Sequence, residues 1–424
     1  MATASSVSHV FPLASRVNER GRLEVGGCDL VELAREFGTP AYVVAEDDLR
    51  ARARAFRSAG AQAGHEDFHV VFASKAFPCT AVLEVFAQEG LWCDVASEGE
   101  LHLALAAGFR GERIVLHGNA KSPQELQMAL QAKVGLIVID NHDEIDHLQR
   151  LLAERDGAIQ QVLVRLTPDV RGDTHEKIST GQADSKFGFA MDEAHEVISR
   201  VQSVDGLELV GVHAHIGSQI FQLDPFVRSA RALSEAFDFP VLDVGGGLAV
   251  AYTTDQHPPP IEDFVTCVIA ATTRHGAGSG RRLLIEPGRA LVANAGVTLY
   301  TVQSVKRKVS HWVAVDGGMS DNLRPMLYGS VYEAHVVERP GGSSECVLAG
   351  KHCESGDVIV RHALLQDPKA GDVIVTPATG AYGYAMANNY NGVLRAPVIF
   401  CRDGQAREVV RRETLDDLTA RDVR

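Results

Sequence analysis

Between about Asp47 and residue 292 the sequence alternates short runs rich in Val, Ile and Leu with amphipathic stretches of helical period, and this alternation restricts the chain more than any other feature. The runs are Val70 to Ala73, Trp92 to Ala96, Ile114 to His117, Leu136 to Asp140, Val162 to Thr167, Leu209 to His215, Val241 to Val244 and Leu283 to Glu286. Helix-start signals fall between them. Ser97-Glu98-Gly99-Glu100 and Ser122-Pro123-Gln124-Glu125 read as capping boxes, the second with proline at the first helical position, and Asn141-His142-Asp143-Glu144 opens an acidic first turn. Eight strands in about 250 residues suit an α/β fold of the closed (β/α)8, TIM-type barrel better than an open doubly wound sheet, which has fewer strands. In such a barrel chemistry gathers at the C-terminal ends of the strands, where the βα loops converge.

After about residue 292 the texture changes to alternating β stretches: Val297 to Val302, Trp312 to Val315, Val331 to Val337, Val358 to Val360, Val373 to Thr376, Val398 to Phe400 and Glu408 to Arg411. Glycine turns at Gly317-Gly318, Gly341-Gly342 and Gly371-Asp372 punctuate them. Residues 1–45 offer only Leu23-Glu24-Val25, Ala41 to Val44 and a brief helix from Asp29 to Phe37, too little to fold alone. The expected organisation is a barrel over 46–292, with 1–45 and 293–424 forming a β-sandwich or barrel-like all-β domain that completes the active site. A chain of 424 residues exceeds what one hydrophobic core organises, which also favours two domains. The long stretch Asp169 to Phe189 after the fifth strand is the natural cover for the site.

Forty-one basic against fifty-five acidic residues give a formal charge of -14, which argues against a nucleic-acid or anionic-membrane surface. No segment approaches a membrane span, and the N-terminus lacks a charged region followed by an apolar run, so a cytoplasmic protein is expected. Seven cysteines without a C-x-x-C pair suit free thiols and offer neither a disulfide framework nor a zinc knuckle.

Polar residues at the strand ends carry the chemistry. Lys75 follows the buried run Val70-Val71-Phe72 and reads either as a lysine whose ammonium reaches water or as a Schiff-base lysine. Gly245 to Gly247 let backbone N–H groups approach an anion such as phosphate, or simply shape a tight turn; they match neither a P-loop nor G-x-G-x-x-G. His213 and His215 share one strand face and could bind a metal, but no third ligand at useful spacing follows, so no metal is expected. An imidazole at His215 can instead lie over an aromatic cofactor ring, with His213 a hydrogen-bonded core histidine. Glu286 closes the apolar run Leu283-Leu284-Ile285 and needs a positive partner there: Arg289, or a protonated heterocyclic nitrogen.

FASKAF at residues 72–77, HAHIGSQ at 213–219, the three glycines, EPGRAL at 286–291, DNLRPMLYGS at 321–330, GKHCESGD at 350–357 and GAYGYAMANNYN at 380–391 form an ordered set. The set resembles the diaminopimelate decarboxylase family of the alanine racemase-like, fold type III pyridoxal phosphate enzymes, over about Thr39 to Thr414. The resemblance implies that Lys75 holds pyridoxal 5'-phosphate as a Schiff base and that His215 stacks on its ring. It gives the phosphate to Ser218, Gly246, Gly247, Gly288, Arg289 and Tyr382, and the pyridine nitrogen to Glu286. A carboxylate there keeps the ring protonated and a strong electron sink, which suits loss of CO2. Arg289, Arg324, Tyr328, Glu354 and Tyr382 match substrate-binding positions, the arginines suiting a distal carboxylate and Glu354 a distal ammonium. Cys353 matches the catalytic cysteine that returns a proton to carbon. The resemblance further implies a homodimer with shared active sites, Cys353 and Glu354 coming from the partner chain. The activity so implied is decarboxylation of meso-2,6-diaminopimelate to L-lysine. A related diamino-acid decarboxylase, a non-catalytic pyridoxal phosphate carrier and a metal-dependent barrel hydrolase are the alternatives.

Overall fold

A computed structural model describes residues 7–155, 157–170, 185–273 and 280–423. Residues 171–184, the greater part of the expected cover, lie outside the described residues. The chain divides into two compact units, one of Arg50–Ala249 with Pro258–Ala290, the other of Met1–Leu49, Val250–His257 and Leu291–Arg424.

The first unit is the barrel that the alternation predicts. Its strands are β1 (Phe68–Ala73), β2 (Trp92–Val95), β3 (Ile114–Leu116), β4 (Leu136–Ile139), β5 (Gln160–Thr167), β6 (Leu207–His213), β7 (Val241–Asp243) and β8 (Arg282–Ile285). Each pairs in parallel with the next, and β8 pairs with β1 through Leu283↔Phe68 and Ile285↔Val70, which closes the ring. One buried cluster draws on all eight strands: Val71, Trp92, Val115, Leu136 with Val138, Leu163, Val210, Val241 and Leu284. The middle of each strand is mainly apolar because helices cover the other face of the sheet, so the runs read as largely continuous rather than alternating.

The helix caps tie strand ends to the helices that follow. Ser122 and Glu125 form the reciprocal capping box, with Pro123 inside the first turn. At Ser97 the hydroxyl accepts from Glu100 N, but the glutamate reaches back one residue further, to Ala96 N at 2.8 Å. Asn141 repeats this arrangement: its side chain accepts from Glu144 N, and Glu144 reaches Asp140 N at 3.0 Å. Each such glutamate fixes the residue where a strand ends, which is where side chains must be aimed.

In the second unit a nine-stranded sheet centres on Gly296–Arg307, which pairs with Ala41–Ala45, Val373–Thr376 and His311–Val315. The segment Ala41–Ala45 also pairs in parallel with Val398–Arg402, and Val43, Val297, Leu299, Val375 and Ile399 share one core. Of the stretch Val331 to Val337 only His335–Val336 forms a strand, while Ser344–Ala349 adds one that the sequence pattern does not announce. Its polar start, Ser344-Glu345, is exposed, and its place is set by pairing with His311–Val315 and Val358–Leu365. Tertiary pairing overrides weak local preference here.

Candidate active site

Beyond β1, Ser74–Ala76 turns as one short 3-10 segment, which buries Ser74 and Ala76 and turns Lys75 outward. The Lys75 side chain is 47% exposed, yet its Nζ donates to Oδ2 of the buried Asp94 on β2 at 2.8 Å. The ammonium therefore has a carboxylate partner at the strand ends, beyond the solvent that a surface lysine meets.

Glu286, just past β8, is enclosed by histidines. His117 Nε2, just past β3, donates to Oε1 at 2.6 Å, and His213 Nε2, at the end of β6, to Oε2 at 3.2 Å. Glu286 thus takes these two rings as partners rather than Arg289. Burial opposes its charge, but His117 and His213 outweigh burial and hold the carboxyl well below the usual carboxylate range. Burial pulls the His213 imidazole down to about 4, against the opposing pull of Glu286. One ligand-capable atom each of His117, His213, Asp243 and Glu286 lies within 4.8 Å of all the others.

His215 is held differently. Gly246 N donates to its Nδ1 at 3.1 Å, so the ring hydrogen sits on Nε2, and burial together with Lys75 and Arg165 keeps the imidazole well below its usual range. It is a neutral flat ring beside the lysine. The glycines are required by space as much as by anion approach. A Cβ on Gly246 would lie 2.0 Å from Glu286 O, and Gly247, at φ +120, would place one 2.3 Å from Gly217 O. Arg289, buried, donates through Nη2 to Ser218 Oγ at 2.9 Å, and a Cβ on Gly288 would press on Ala73 and Ala76.

The remaining expected residues belong to the second unit. Arg324 opens the helix Arg324–Tyr328 and is 5% exposed; it donates to Tyr332 Oη and lies 4.7 Å from the Tyr252 ring centroid. Burial opposes its charge, but Tyr252, Tyr332 and Tyr382 outweigh burial and keep the guanidinium protonated. Tyr328 is partly buried at the end of the same helix. Tyr382 is partly buried and adopts φ 62, a left-handed conformation that costs a tyrosine energy and marks a constrained position. Cys353 and Glu354 are exposed on a loop whose flank is pinned: Asp357 accepts from both the backbone and the ring of His352, and Cys353 N donates to Asn391. Cys353 is the exposed member of seven free cysteines.

Sequence reasoning missed Asp94, His117 and Arg165 as parts of the site, and gave Asp243, which it read at the end of the seventh strand, no role there. All four lie at or near C-terminal strand ends, as Lys75 and Glu286 do, and the same strand-end rule could have found them. Arg165 is buried on β5, 3.5 Å from Asp140, with its guanidinium 4.3 Å from the Phe187 ring centroid.

These residues fit pyridoxal phosphate: an amine for its aldehyde, a neutral imidazole for its ring face, an ionised carboxylate for its ring nitrogen, and a side-chain-free cradle with Ser218 for its phosphate. The closed barrel with this site defines the class of pyridoxal-dependent decarboxylases, whose pyridoxal binding domain matches residues 46–293. The chain is 44% identical to diaminopimelate decarboxylase of Bacillus subtilis, over 96% of this chain and 97% of the relative. It is 46% identical to that of Actinosynnema pretiosum, over 98% and 95%. The crystal structure of diaminopimelate decarboxylase from M. jannaschii in complex with L-lysine superposes with a TM-score of 0.90 at 31% identity, covering 97% of this chain and 98% of that one. The chain belongs to the diaminopimelate decarboxylase family.

Proposed function

We propose that the protein decarboxylates meso-2,6-diaminopimelate to L-lysine and CO2, with the site residues in the roles given below. The observation that carries the reaction type is Glu286, an ionised carboxylate fixed by two histidines at the mouth of the barrel. When bound, pyridoxal phosphate supplies an electron sink for the pair left behind by departing CO2, and the sink is strongest with a protonated ring nitrogen.

Lys75 holds the cofactor, and Asp94 keeps the amine near the strand ends while it is free. His215 lies against the ring, neutral and oriented by Gly246. Ser218, Gly246, Gly247, Gly288 and the backbone of Arg289 take the phosphate with Tyr382. Arg289 and Arg324 bind the distal carboxylate of the substrate, Glu354 its distal ammonium, and Tyr328 and Tyr382 complete its contacts. Arg324 is suited to this by a charge that Tyr252 and Tyr332 already orient. As CO2 leaves, the Sγ–H of Cys353 supplies the proton that takes the place of the carboxyl group on carbon.

Cys353 and Glu354 serve the site of a second copy in a homodimer; their exposure in the single chain supports this part of the reading. The barrel span 46–292 and the flanking β domain are the units that carry the two halves of the chemistry. No helix among the described residues is long and apolar enough to cross a membrane, and all seven cysteines are free thiols, which supports a cytoplasmic enzyme.

CO2 release by the pyridoxal-phosphate-loaded protein from meso-2,6-diaminopimelate, L-ornithine and L-arginine tests the assignment. Arginines at the far end of the substrate disfavour a diamine precursor, so the meso isomer is expected to turn over at least about a hundredfold faster in kcat/KM, the worth of a buried, bidentate charge pair. Equal or faster turnover of ornithine or arginine sinks the substrate and leaves the reaction type.

A further inference from the structure

The proposed chemistry leaves a fully buried carboxyl at the barrel's strand ends unused. Asp243 ends β7; its Oδ1 accepts the Gly245 N–H at 2.9 Å, while its Oδ2 is enclosed and meets no hydrogen-bond donor among the described residues. The Glu286 carboxylate is within the same 4.8 Å cluster. Both imidazole donors of that cluster are directed at Glu286: His117 Nε2 at 2.6 Å and His213 Nε2 at 3.2 Å.

Two carboxylates this close in a buried cage disfavour double ionisation, because repulsion and desolvation act together against the second charge. The histidines settle which one keeps its charge, since they serve Glu286. An enclosed Oδ2 that no donor among the described residues meets then needs a hydrogen of its own. We propose that Asp243 is a positioning residue for Glu286: a neutral carboxylic acid whose Oδ2–H donates to the glutamate, as a third donor beside His117 and His213.

The titration directions agree with this geometry. Burial first, and then the charge of Glu286, push the Asp243 carboxyl well above its usual range, while Glu286 lies well below. A pair of acids driven apart in this way shares one proton, held by one member. The other charges that face the cage are Asp94 from β2, Arg165 from β5 and Lys75 beyond β1. An ionised Asp243 would add a second negative charge beside the group that meets the ring nitrogen. A neutral one leaves a single carboxylate for a single ring proton.

This inference rests on the assignment of Glu286 to the ring nitrogen, so its primary test is made without cofactor. The Asp243→Asn variant keeps an acceptor for Gly245 N and offers an N–H in place of the O–H; Asp243→Leu offers neither. Infrared difference spectra of cofactor-free wild type minus Asp243→Asn are expected to show the carbonyl stretch of a protonated carboxylic acid. Asp243→Asn is expected to bind pyridoxal phosphate within about threefold of wild type, and Asp243→Leu about tenfold more weakly, the worth of one hydrogen bond to a charged group.

The proposal is overturned by an infrared difference showing an ionised carboxylate, or by Asp243→Asn binding as weakly as Asp243→Leu. It is equally overturned if Zn2+ alone binds the cofactor-free wild type one per chain and Asp243→Asn abolishes that binding, since the aspartate would then be an ionised ligand. If Asp243→Leu does not fold, the infrared comparison decides. Loss of the substrate assignment leaves the infrared result in place, whereas an ionised Asp243 with intact turnover of meso-2,6-diaminopimelate removes this inference alone.

Discussion

Asp321 shows what a single buried acid costs this protein. It is 1% exposed, and its Oδ2 accepts from Gly318 N at 2.9 Å. Burial pushes its carboxyl up to about 7; the Gly318 N–H opposes this, and Asp316 and Asp357 add to it. Between the ordinary value of 3.8 and about 7 the folded chain keeps a proton that the unfolded chain releases, so this group makes stability fall as pH rises through that window. The full effect is on the order of 4 kcal/mol. Asp321→Asn keeps the shape without the titration. Urea unfolding should show it more stable than wild type above the window, with the gain fading as pH falls toward 3.8. A stability difference independent of pH would contradict the assignment.

The same residue scale shows how far a sequence can be read. Lys75, His215 and Glu286 stand out because each ends an apolar run with a group that cannot be buried alone. Their partners Asp94 and His117 were not legible as partners, because strand neighbours are fixed only when the ring closes. Asp243 was hidden further, since a neutral acid can be recognised only once its neighbours are known.

At the scale of elements, Lys121 joins three pieces of the barrel. It donates to Gly118 O beyond β3 and to Val138 O on β4, each at 2.7 Å, and pairs at 2.7 Å with Glu144 on the helix His142–Ala153. Both side chains of that pair are almost fully buried. Lys121→Met leaves Glu144 enclosed with the Asp140 N–H but no counter-ion, at a cost of roughly 3–5 kcal/mol, and Lys121→Met with Glu144→Leu should recover most of it. Denaturant unfolding of the two variants measures this. A single-variant cost under about 1 kcal/mol, the worth of a surface ion pair, would contradict a clamping role. The helix starts at Ser97, Ser122 and Asn141 were readable because capping is local chemistry. The clamp was not, since Lys121, Val138 and Glu144 meet only in the folded barrel.

At the scale of the whole molecule, the barrel was legible because parallel strands buried on both faces leave continuous apolar runs. The β unit was less so: Ser344–Ala349 begins with exposed polar residues and becomes a strand through its neighbours. The motifs of that unit, Arg324, Cys353, Glu354 and Tyr382, had meaning only as an ordered set, since none of them sits at the end of a barrel strand. The strand ends of the barrel converge instead on one amine. Borohydride reduction of the pyridoxal-phosphate-loaded protein, followed by proteolysis and mass mapping, locates the residue that carries the cofactor. The cofactor's mass is expected on the peptide containing Lys75, with no label in Lys75→Ala; label on Lys177 or Lys186, or label that persists in Lys75→Ala, would contradict it.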